Sequence, residues 1–388
     1  MHMRARELMA IMRKFYVISI SVICFIGILI GGYIVFEHRQ VNQYAEDMQY
    51  YFDMVLDNNA YMSKIPAESS MNIYVDKSKE CKNDTEFLNL LIEANKLFKD
   101  AGHLQPLTPE AYYSRLYTYE MAIEEGYFDK DDTLYANLNQ EDILEEYDSI
   151  SSDFECDKES IKSYINQDSE YELLKDNLTF MDIGDTLVIR IKSLGLEYCK
   201  LDFKTIQKKL EGFEGNRIVF DLRDNYGGSD LYWYGLTAMT SFDDYKFKIE
   251  TYGRGKVLKE YLKENDTDFK IQIKGDEICL SEEIKLQSDH VFDYDNIYIV
   301  SNENTGSSSD SFVKFAKQTG YATVVGTETS GSGGGGLTPL TFELPNTHLA
   351  ILLESTTTKP RKTDPDIASN YMEIERIVDQ IIEYENTK

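Results

Sequence analysis

The stretch "RIVFDLRDNYGG", residues 217–228, joins a nearly continuous apolar run to a polar loop that ends in two glycines. Such a run is typical of a strand buried on both faces of a parallel sheet. Strand-like segments and amphipathic helices alternate around it, which predicts an α/β fold with a mostly parallel sheet and flanking helices. The other predicted strands are 186–194, 295–302, 321–326 and 348–355, and the predicted helices are 203–213, the segment after the serines 307–309 up to Thr319, and 371–384.

The chain before this α/β segment has a helical pattern. Residues 37–180 are predicted to be mainly helical, and the clearest helix is 85–102, whose apolar face ends at Gly102. The pattern changes after Gly184. We therefore predict a helical N-terminal region at 37–180 and an α/β domain at 181–388.

An uncharged apolar segment at residues 15–36 is long enough to span a bilayer as a helix. Four cations precede it, so the positive-inside rule places residues 1–14 in the cytoplasm and the rest of the chain outside. A cleaved signal peptide is the alternative, but no A-x-A-like site lies before Glu37. We predict a single-pass signal anchor at the cell membrane. The four cations are Arg4, Arg6, Arg13 and Lys14.

The amino-acid composition limits the classes of molecule that the protein is expected to bind. The chain has 388 residues, is 42% hydrophobic and carries a formal net charge of −28. The hydrophobic share is adequate for a core, and the acidity argues against a nucleic-acid partner because phosphate binding needs a basic face. Four cysteines beyond the apolar segment contain no C-x-x-C pair, so a zinc site is not predicted. They are either unpaired or joined in disulfides: Cys81, Cys156, Cys199 and Cys279.

Two polar loops follow predicted strands, and ligand sites in such sheets form at the carboxyl ends of strands. In the first loop, Gly227 and Gly228 make a tight turn or leave a backbone N–H facing an anion. In the second, Ser307 has an S-x-x-D spacing to Asp310, which is that of a helix cap. The same geometry would suit a nucleophile, with the N–H of Ser308 and the positive helix end beside it.

These loops, taken together, resemble motifs of the tail-specific, or C-terminal processing, serine proteases. The resemblance covers about 184–382 and rests on three motifs in family order. The first is D-L-R-x-N-x-G-G, the second corresponds to "TGSSSD", and the third is similar to V-I-G-x-x-T-x-G-x-G. The matching residues are Asp221, Leu222, Arg223, Asn225, Gly227 and Gly228, then Thr305 to Asp310, then Thr329, Gly331 and Gly333.

The resemblance implies a crotonase-like core and a nucleophile at Ser307. Many family members use a lysine as general base at the position of Ser332. The chain is instead similar to the branch typified by the tricorn core, which implies that His103 is the base. The serine that precedes the histidine in that branch is Gly102 here. Its orienting glutamate falls on Lys359, and we name Glu354 as a substitute.

The expected function is therefore that of a membrane-anchored serine endopeptidase acting on extracytoplasmic proteins or peptides. Ser307 would form an acyl-enzyme, His103 would carry the proton, and N–H groups of Gly227 or Gly228 and of Ser308 would bind the oxyanion. No metal or cofactor is expected, and the oligomeric state is left open. The alternatives are a catalytically inactive peptide-binding module on the same fold and a hydrolase of small esters.

Overall fold

The computed structural model describes residues 43–128, 133–166, 176–241, 243–265, 267–292, 294, 296–331 and 337–387. The predicted cytoplasmic N-terminus at 1–14, the membrane anchor at 15–36 and Ser332 lie outside these residues, so those predictions stay predictions. No helix in the described part of the chain is long and apolar enough to cross a membrane.

The helices and strands are numbered in chain order. The helices are α1, whose described part is 43–58, α2 (Glu68–Ser78), α3 (Asp84–Asn95), α4 (Pro109–Glu124), α5 (Thr133–Leu138), α6 (Glu141–Ile150), α7 (Lys158–Ile165), α8 (Cys199–Glu211), α9 (Asp230–Thr240), α10 (Gly255–Glu264), α11 (Ser308–Thr319) and α12 (Ile374–Glu385). The strands are β1 (Gln105–Pro106), β2 (Leu178–Ile183), β3 (Thr186–Ile191), β4 (Arg217–Asp221), β5 (Tyr245–Gly253), β6 (Lys270–Lys274), β7 (Glu277–Leu286), β8 (Asn296–Ser301), β9 (Thr323–Gly326), β10 (Leu340–Glu343), β11 (Ala350–Leu353), β12 (Thr356–Thr357) and β13 (Ile367–Ala368).

A six-stranded sheet in the order β13-β9-β8-β4-β3-β2 forms the centre of the α/β region. All its neighbours are parallel except β2 and β3, which form an antiparallel hairpin. Alternate residues of each central strand enter different hydrophobic clusters, one with α8, α9 and α11 and the other with α12. Because both faces are covered, the central strands consist of apolar runs. The predicted α/β fold with a mostly parallel sheet is confirmed.

The strand at the predicted segment 348–355 belongs to a different sheet from the one expected. β11 lies between β1 and β10 in a three-stranded antiparallel sheet rather than in the central sheet. It packs with the N-terminal helices, in a cluster that joins residues of α1, α3, α4 and α6 to β10 and β11. The packing therefore crosses position 180, the predicted domain boundary.

The helix predicted at 85–102 ends earlier, at Asn95. The Asn95 side chain donates to the carbonyl of Leu104 at 3.1 Å, and both Asp100 and Gly102 have positive φ. These features fold 96–104 into turns and bring His103 close to β11. The four cysteines beyond the apolar segment are all unpaired.

Candidate active site

Ser307 lies between the loop that follows β8 and the first residue of α11. Its φ of 53° and ψ of −129° are unusual for a residue with a side chain and cost about 1–3 kcal/mol. The surrounding backbone holds this conformation, since the N–H of Ser307 donates to the carbonyl of Gly331 at 2.9 Å and its carbonyl accepts from Ser311 at 3.0 Å. The conformation is thus fixed from both sides.

The expectation that Ser307 caps α11 is wrong for its hydroxyl. Ser307 occupies the N-cap position, but its side chain makes no capping hydrogen bond. The expected capping partner, Asp310, accepts instead from the hydroxyls of Thr329 at 2.6 Å and Thr363 at 2.7 Å, and pairs with Lys314. The positive φ at Ser307 directs the hydroxyl away from the helix, and the carboxylate anchors α11 to two neighbouring loops.

The structure brings Ser307, His103 and Glu354 into one line of contacts. Nε2 of His103 lies 3.1 Å from Oγ of Ser307, within hydrogen-bond reach as expected from the sequence. Nδ1 of His103 contacts the carboxylate of Glu354, which also accepts from the backbone N–H of His103 at 3.3 Å. The His103 side chain is 29% exposed and that of Glu354 only 8%, so the ring is open towards solvent while its carboxylate partner is buried.

Gly102 makes room for Glu354. A Cβ on Gly102 would lie 2.7 Å from Cγ and 2.9 Å from Oε2 of Glu354, and the residue has a φ of +66°. A residue with a side chain at this position, such as serine, would collide with the carboxylate in its observed place. The missing side chain at Gly102 therefore leaves room for the carboxylate that contacts His103.

We expect Gly102→Ala to lower the reactivity of the Ser307 hydroxyl about 10²-fold because displacement of Glu354 would misplace the His103 ring. It should also reduce the free energy of unfolding by about 1–3 kcal/mol. Gly184→Ala is the matched control, since Gly184 has a φ of +57° and no neighbouring atom within 4 Å of the place that a Cβ would take. The control should cost about 1 kcal/mol of stability and leave this reactivity unchanged. Equal reactivities of the two variants, measured alongside urea unfolding, would contradict this role of Gly102.

A buried asparagine fixes the turn that carries His103. Nδ2 of Asn59 donates to the carbonyl of Ala101 at 2.9 Å, and Asn59 is fully buried. The next residue, Ala60, donates its N–H to the carbonyl of Glu354 at 3.0 Å. The turn after α1 therefore positions both the histidine and its carboxylate. No pattern in the sequence indicates this role of Asn59.

The loop after β4 approaches the serine closely. A Cβ on Gly227 would lie 2.7 Å from Cβ of Ser307 and 2.8 Å from the nitrogen of Ser308. The N–H of Gly227 donates to Oδ1 of Asn225 at 2.9 Å and is thus engaged within the protein. Among the described residues, the N–H groups of Gly228 and Ser308 have no acceptor. Of the predicted oxyanion donors, Gly228 and Ser308 are the two left for an external oxygen.

Asn225 joins this loop to the serine helix. Its Oδ1 also accepts from the hydroxyl of Ser309 at 2.7 Å, and its Nδ2 donates to the carbonyl of Ile191 at 2.9 Å. The carbonyl of Asn225 accepts from the N–H of Gly306 at 3.0 Å. Four contacts from one fully buried residue therefore set the distance between the two glycines and the serine.

Charged and polar side chains brace the same loop from outside. Arg223 forms a two-pronged pair with Asp221, at 2.8 and 2.7 Å, and this hydrogen bonding raises the pKa of the guanidinium. Asp224 accepts from the side chains of Asn304 and Asn302 at 3.0 and 2.9 Å. These donors lower the pKa of the Asp224 carboxyl. The two site loops are thus held together by side chains as well as backbone.

The two lysines nearest Ser307 on α11 are engaged elsewhere. Lys314 pairs with Asp310 at 2.7 Å and donates to the hydroxyl of Thr358 at 2.7 Å. Lys317 pairs with Asp366 at 2.7 Å. Both amines are therefore already paired with carboxylates.

Residues 185–367 match the model of peptidase family S41. These residues belong to the S41 peptidases. They include the serine loop, the glycine loop and Glu354, whereas His103 lies N-terminal to them. The match of this region to a peptidase family supports a serine-type peptide hydrolase. It agrees with the resemblance found in the sequence. No curated protein matches the sequence closely enough to be named as a relative.

Several solved structures are similar to this chain. A protein from Parabacteroides merdae shares 16% identity over 89% of this chain and 96% of its own, with a TM-score of 0.48. A lipoprotein from Streptococcus agalactiae shares 14% identity over 88% and 97%, with a TM-score of 0.48. A photosystem II D1 C-terminal processing protease shares 13% identity over 50% and 48%, with a TM-score of 0.35. Similarities of this size carry no assignment of substrate.

Proposed function

We propose that this chain is a serine endopeptidase in which Ser307 is the nucleophile, His103 the general base and Glu354 the acid that orients the base. The observation that carries the proposal is the unbroken contact from the Ser307 hydroxyl through the His103 ring to the Glu354 carboxylate. A serine hydroxyl is a weak nucleophile and needs such a partner. The strained backbone at Ser307 supports the same role, because strain of this kind clusters at functional sites.

In the proposed reaction, Oγ of Ser307 bonds to the carbonyl carbon of the scissile peptide while its proton passes to Nε2 of His103. The carbonyl oxygen becomes an oxyanion facing the N–H groups of Gly228 and Ser308, and such a donor is worth about 3–4 kcal/mol. His103 then gives the proton to the leaving amine as the C–N bond breaks. Water, deprotonated by the same nitrogen, attacks the acyl carbon. The bond from that carbon to Oγ of Ser307 then breaks, the proton returns to Oγ, and the carboxylic acid product leaves.

Glu354 has two effects on this reaction. Its contact with Nδ1 of His103 favours the tautomer whose Nε2 can accept a proton from Ser307. Its negative charge also stabilises the imidazolium that forms after proton transfer. This arrangement supports placing the chain in the histidine-using branch, with Glu354 in place of the glutamate that the sequence pattern does not supply near Lys359.

The rival function is an inactive peptide-binding module on the same fold. The absence of the family lysine, serine and glutamate from the sequence motifs favours it. In the structure, Gly102 stands where a serine would meet Glu354, and Glu354 contacts His103. The missing serine and glutamate therefore have counterparts that fit an active site, and His103 takes the role of the lysine. The peptidase is the better-supported interpretation.

Hydrolysis of a fluorescently labelled unfolded protein by the purified chain tests the function. We expect fluorescence release from the wild type, with a chelator having no effect because the proposed chemistry uses no metal. Release that persists fully in the Ser307→Ala chain would refute the proposal. Absence of release by the wild type, together with tight binding of the same protein, would favour the inactive module.

We also propose that residues 15–36 anchor the chain in the cell membrane with the peptidase region outside. The motivation is the four cations before the apolar segment and only Arg39 closely after it. Protease added to intact cells should digest the region beyond Gln40 and leave the short N-terminus intact. Complete protection in intact cells, with digestion only after lysis, would contradict this orientation.

A further inference from the structure

A cavity of about 540 Å³ opens next to the candidate active site. Its walls are the turn after α1, the end of β5 and the segment 357–361. The same walls touch the site from two sides. Ala60 donates to the carbonyl of Glu354, and the carbonyl of Arg361 lies 2.6 Å from where a Cβ on Gly331 would be. Gly331 in turn accepts the N–H of Ser307.

Two arginines of this cavity have no carboxylate partner among the described residues. The guanidinium of Arg361 stacks over the ring of Tyr61, 4.7 Å from its centroid, and makes no ion pair there. Arg254 donates through Nε and Nη2 to the backbone carbonyls of Asn59 and Leu56, at 2.7 to 3.1 Å. Neither the aromatic ring beside Arg361 nor the carbonyls beside Arg254 carry a negative charge, so both guanidinium charges are uncompensated there.

The other charged groups of the cavity do not cancel these arginines. Lys359 pairs with Glu277 and also lies 3.9 Å from the centroid of the Tyr252 ring. Asp276 is exposed, at the turn between β6 and β7. The lining residues therefore include three cations and two carboxylates. In a chain with a net charge of −28, a local excess of positive charge needs an explanation.

We propose that this cavity is a substrate subsite that binds a carboxylate of the bound peptide chain, with Arg361 as its principal contact. The guanidinium has a planar fork of donors that matches a carboxylate, and its stacking on Tyr61 orders it before binding. Arg254 adds a second positive charge to the lining of the cavity. The carboxylate comes from an aspartate or glutamate side chain or from the free C-terminus of the substrate. This inference rests on the proposed peptidase function and adds a preference to it.

Binding of fluorescein-labelled peptides to the full chain in detergent tests the subsite. The Ser307→Ala background is used so that bound peptides are not cleaved. All peptides are based on one neutral sequence. The first is its C-terminal amide, and the second has a free C-terminal carboxylate. The third group is a series of amides in which one glutamate is moved along the chain. We expect a carboxylate-bearing peptide to bind about tenfold more tightly than the neutral amide, less so at high salt. The peptide that binds most tightly shows whether a side chain or the free C-terminus supplies the carboxylate.

Arg361→Gln should abolish this preference while changing affinity for the neutral amide less than about twofold. Arg361→Lys keeps the charge but not the fork and should retain part of the preference. The matched control is Lys362→Gln, which removes a neighbouring cation that pairs with Glu328 outside the cavity. The Lys362→Gln chain should show the same preference for carboxylate-bearing peptides as the Ser307→Ala parent.

Equal binding of neutral and acidic peptides, or a preference that survives Arg361→Gln, would overturn the subsite. The proposed peptidase function would be unaffected by that result, since it is judged by hydrolysis and by covalent reaction of Ser307. A wild type that fails to react at Ser307 yet prefers acidic peptides through Arg361 would retain the subsite and refute the catalysis.

Discussion

Ser307→Ala should reduce peptide hydrolysis by about four to six orders of magnitude while leaving the fold intact. The loss is large because no other hydroxyl of the described residues is aligned with the His103 ring, whose Nε2 lies 3.1 Å from Oγ of Ser307. The free energy of unfolding should change by less than about 0.5 kcal/mol, because the hydroxyl makes no capping bond whose loss would destabilise α11. Initial rates and urea unfolding, measured on the same preparations, check both parts.

Ser307→Gly separates the strain from the chemistry. Glycine adopts the φ of 53° without steric cost, so this variant should be inactive but more stable than wild type, by about 1 kcal/mol. Ser309→Ala is the matched control from the same helical turn. It removes a hydroxyl that donates to Asn225 at 2.7 Å, so it should lose about 1 kcal/mol and keep most of the activity. Full activity in Ser307→Ala would move the nucleophile elsewhere.

His103→Ala should reduce hydrolysis by about two to four orders of magnitude, with a smaller change in KM than in kcat. The ring contacts the serine hydroxyl on one side and the Glu354 carboxylate on the other, so its removal leaves the serine without a proton acceptor. Lys314 cannot replace it, because its amine is held by Asp310 and Thr358. Steady-state kinetics on a fluorogenic peptide provides the measurement.

His348→Ala is a close control for this prediction. His348 also contacts a carboxylate through Nδ1, that of Glu343, but the structure gives it no contact with Ser307. The control should therefore keep its activity and show only a change in stability. Glu354→Gln should lose about as much activity as His103→Ala, about two to four orders of magnitude, because an amide favours the wrong histidine tautomer. Activity in His103→Ala equal to that in His348→Ala would remove His103 from the mechanism.

The central sheet could be predicted from the sequence because its strands are covered on both faces. Complete burial leaves an apolar run, as in β4 and β8, that local composition reveals. The four-stranded sheet in the order β12-β5-β7-β6 could not be predicted in this way, since β6 is exposed throughout and both β5 and β7 mix buried and exposed residues. The sequence indicates β11 as a strand, but an apolar run does not specify its neighbours. Its place beside β1 depends on the packing of the N-terminal helices.

The candidate site shows the same division between local and distant information. Ser307 and the two glycines lie in motifs of contiguous residues, so the sequence identifies them. The contact between His103 and Glu354 joins positions 251 residues apart, and no local pattern encodes it. The hydrogen bond from Asn59 to Ala101 has no local signal for the same reason. Gly102 could have indicated Glu354 as the partner of His103, because a glycine at this position leaves room for the glutamate side chain.

Covalent labelling followed by mass spectrometry tests the central claim most directly. The wild-type chain is treated with a fluorophosphonate, digested, and the modified peptide is sequenced. We expect one adduct, on the oxygen of Ser307, formed at a rate that falls by about two to four orders of magnitude in His103→Ala and is unchanged in His348→Ala. An adduct on another serine, or labelling of Ser307 at the same rate without His103, would contradict the proposed mechanism.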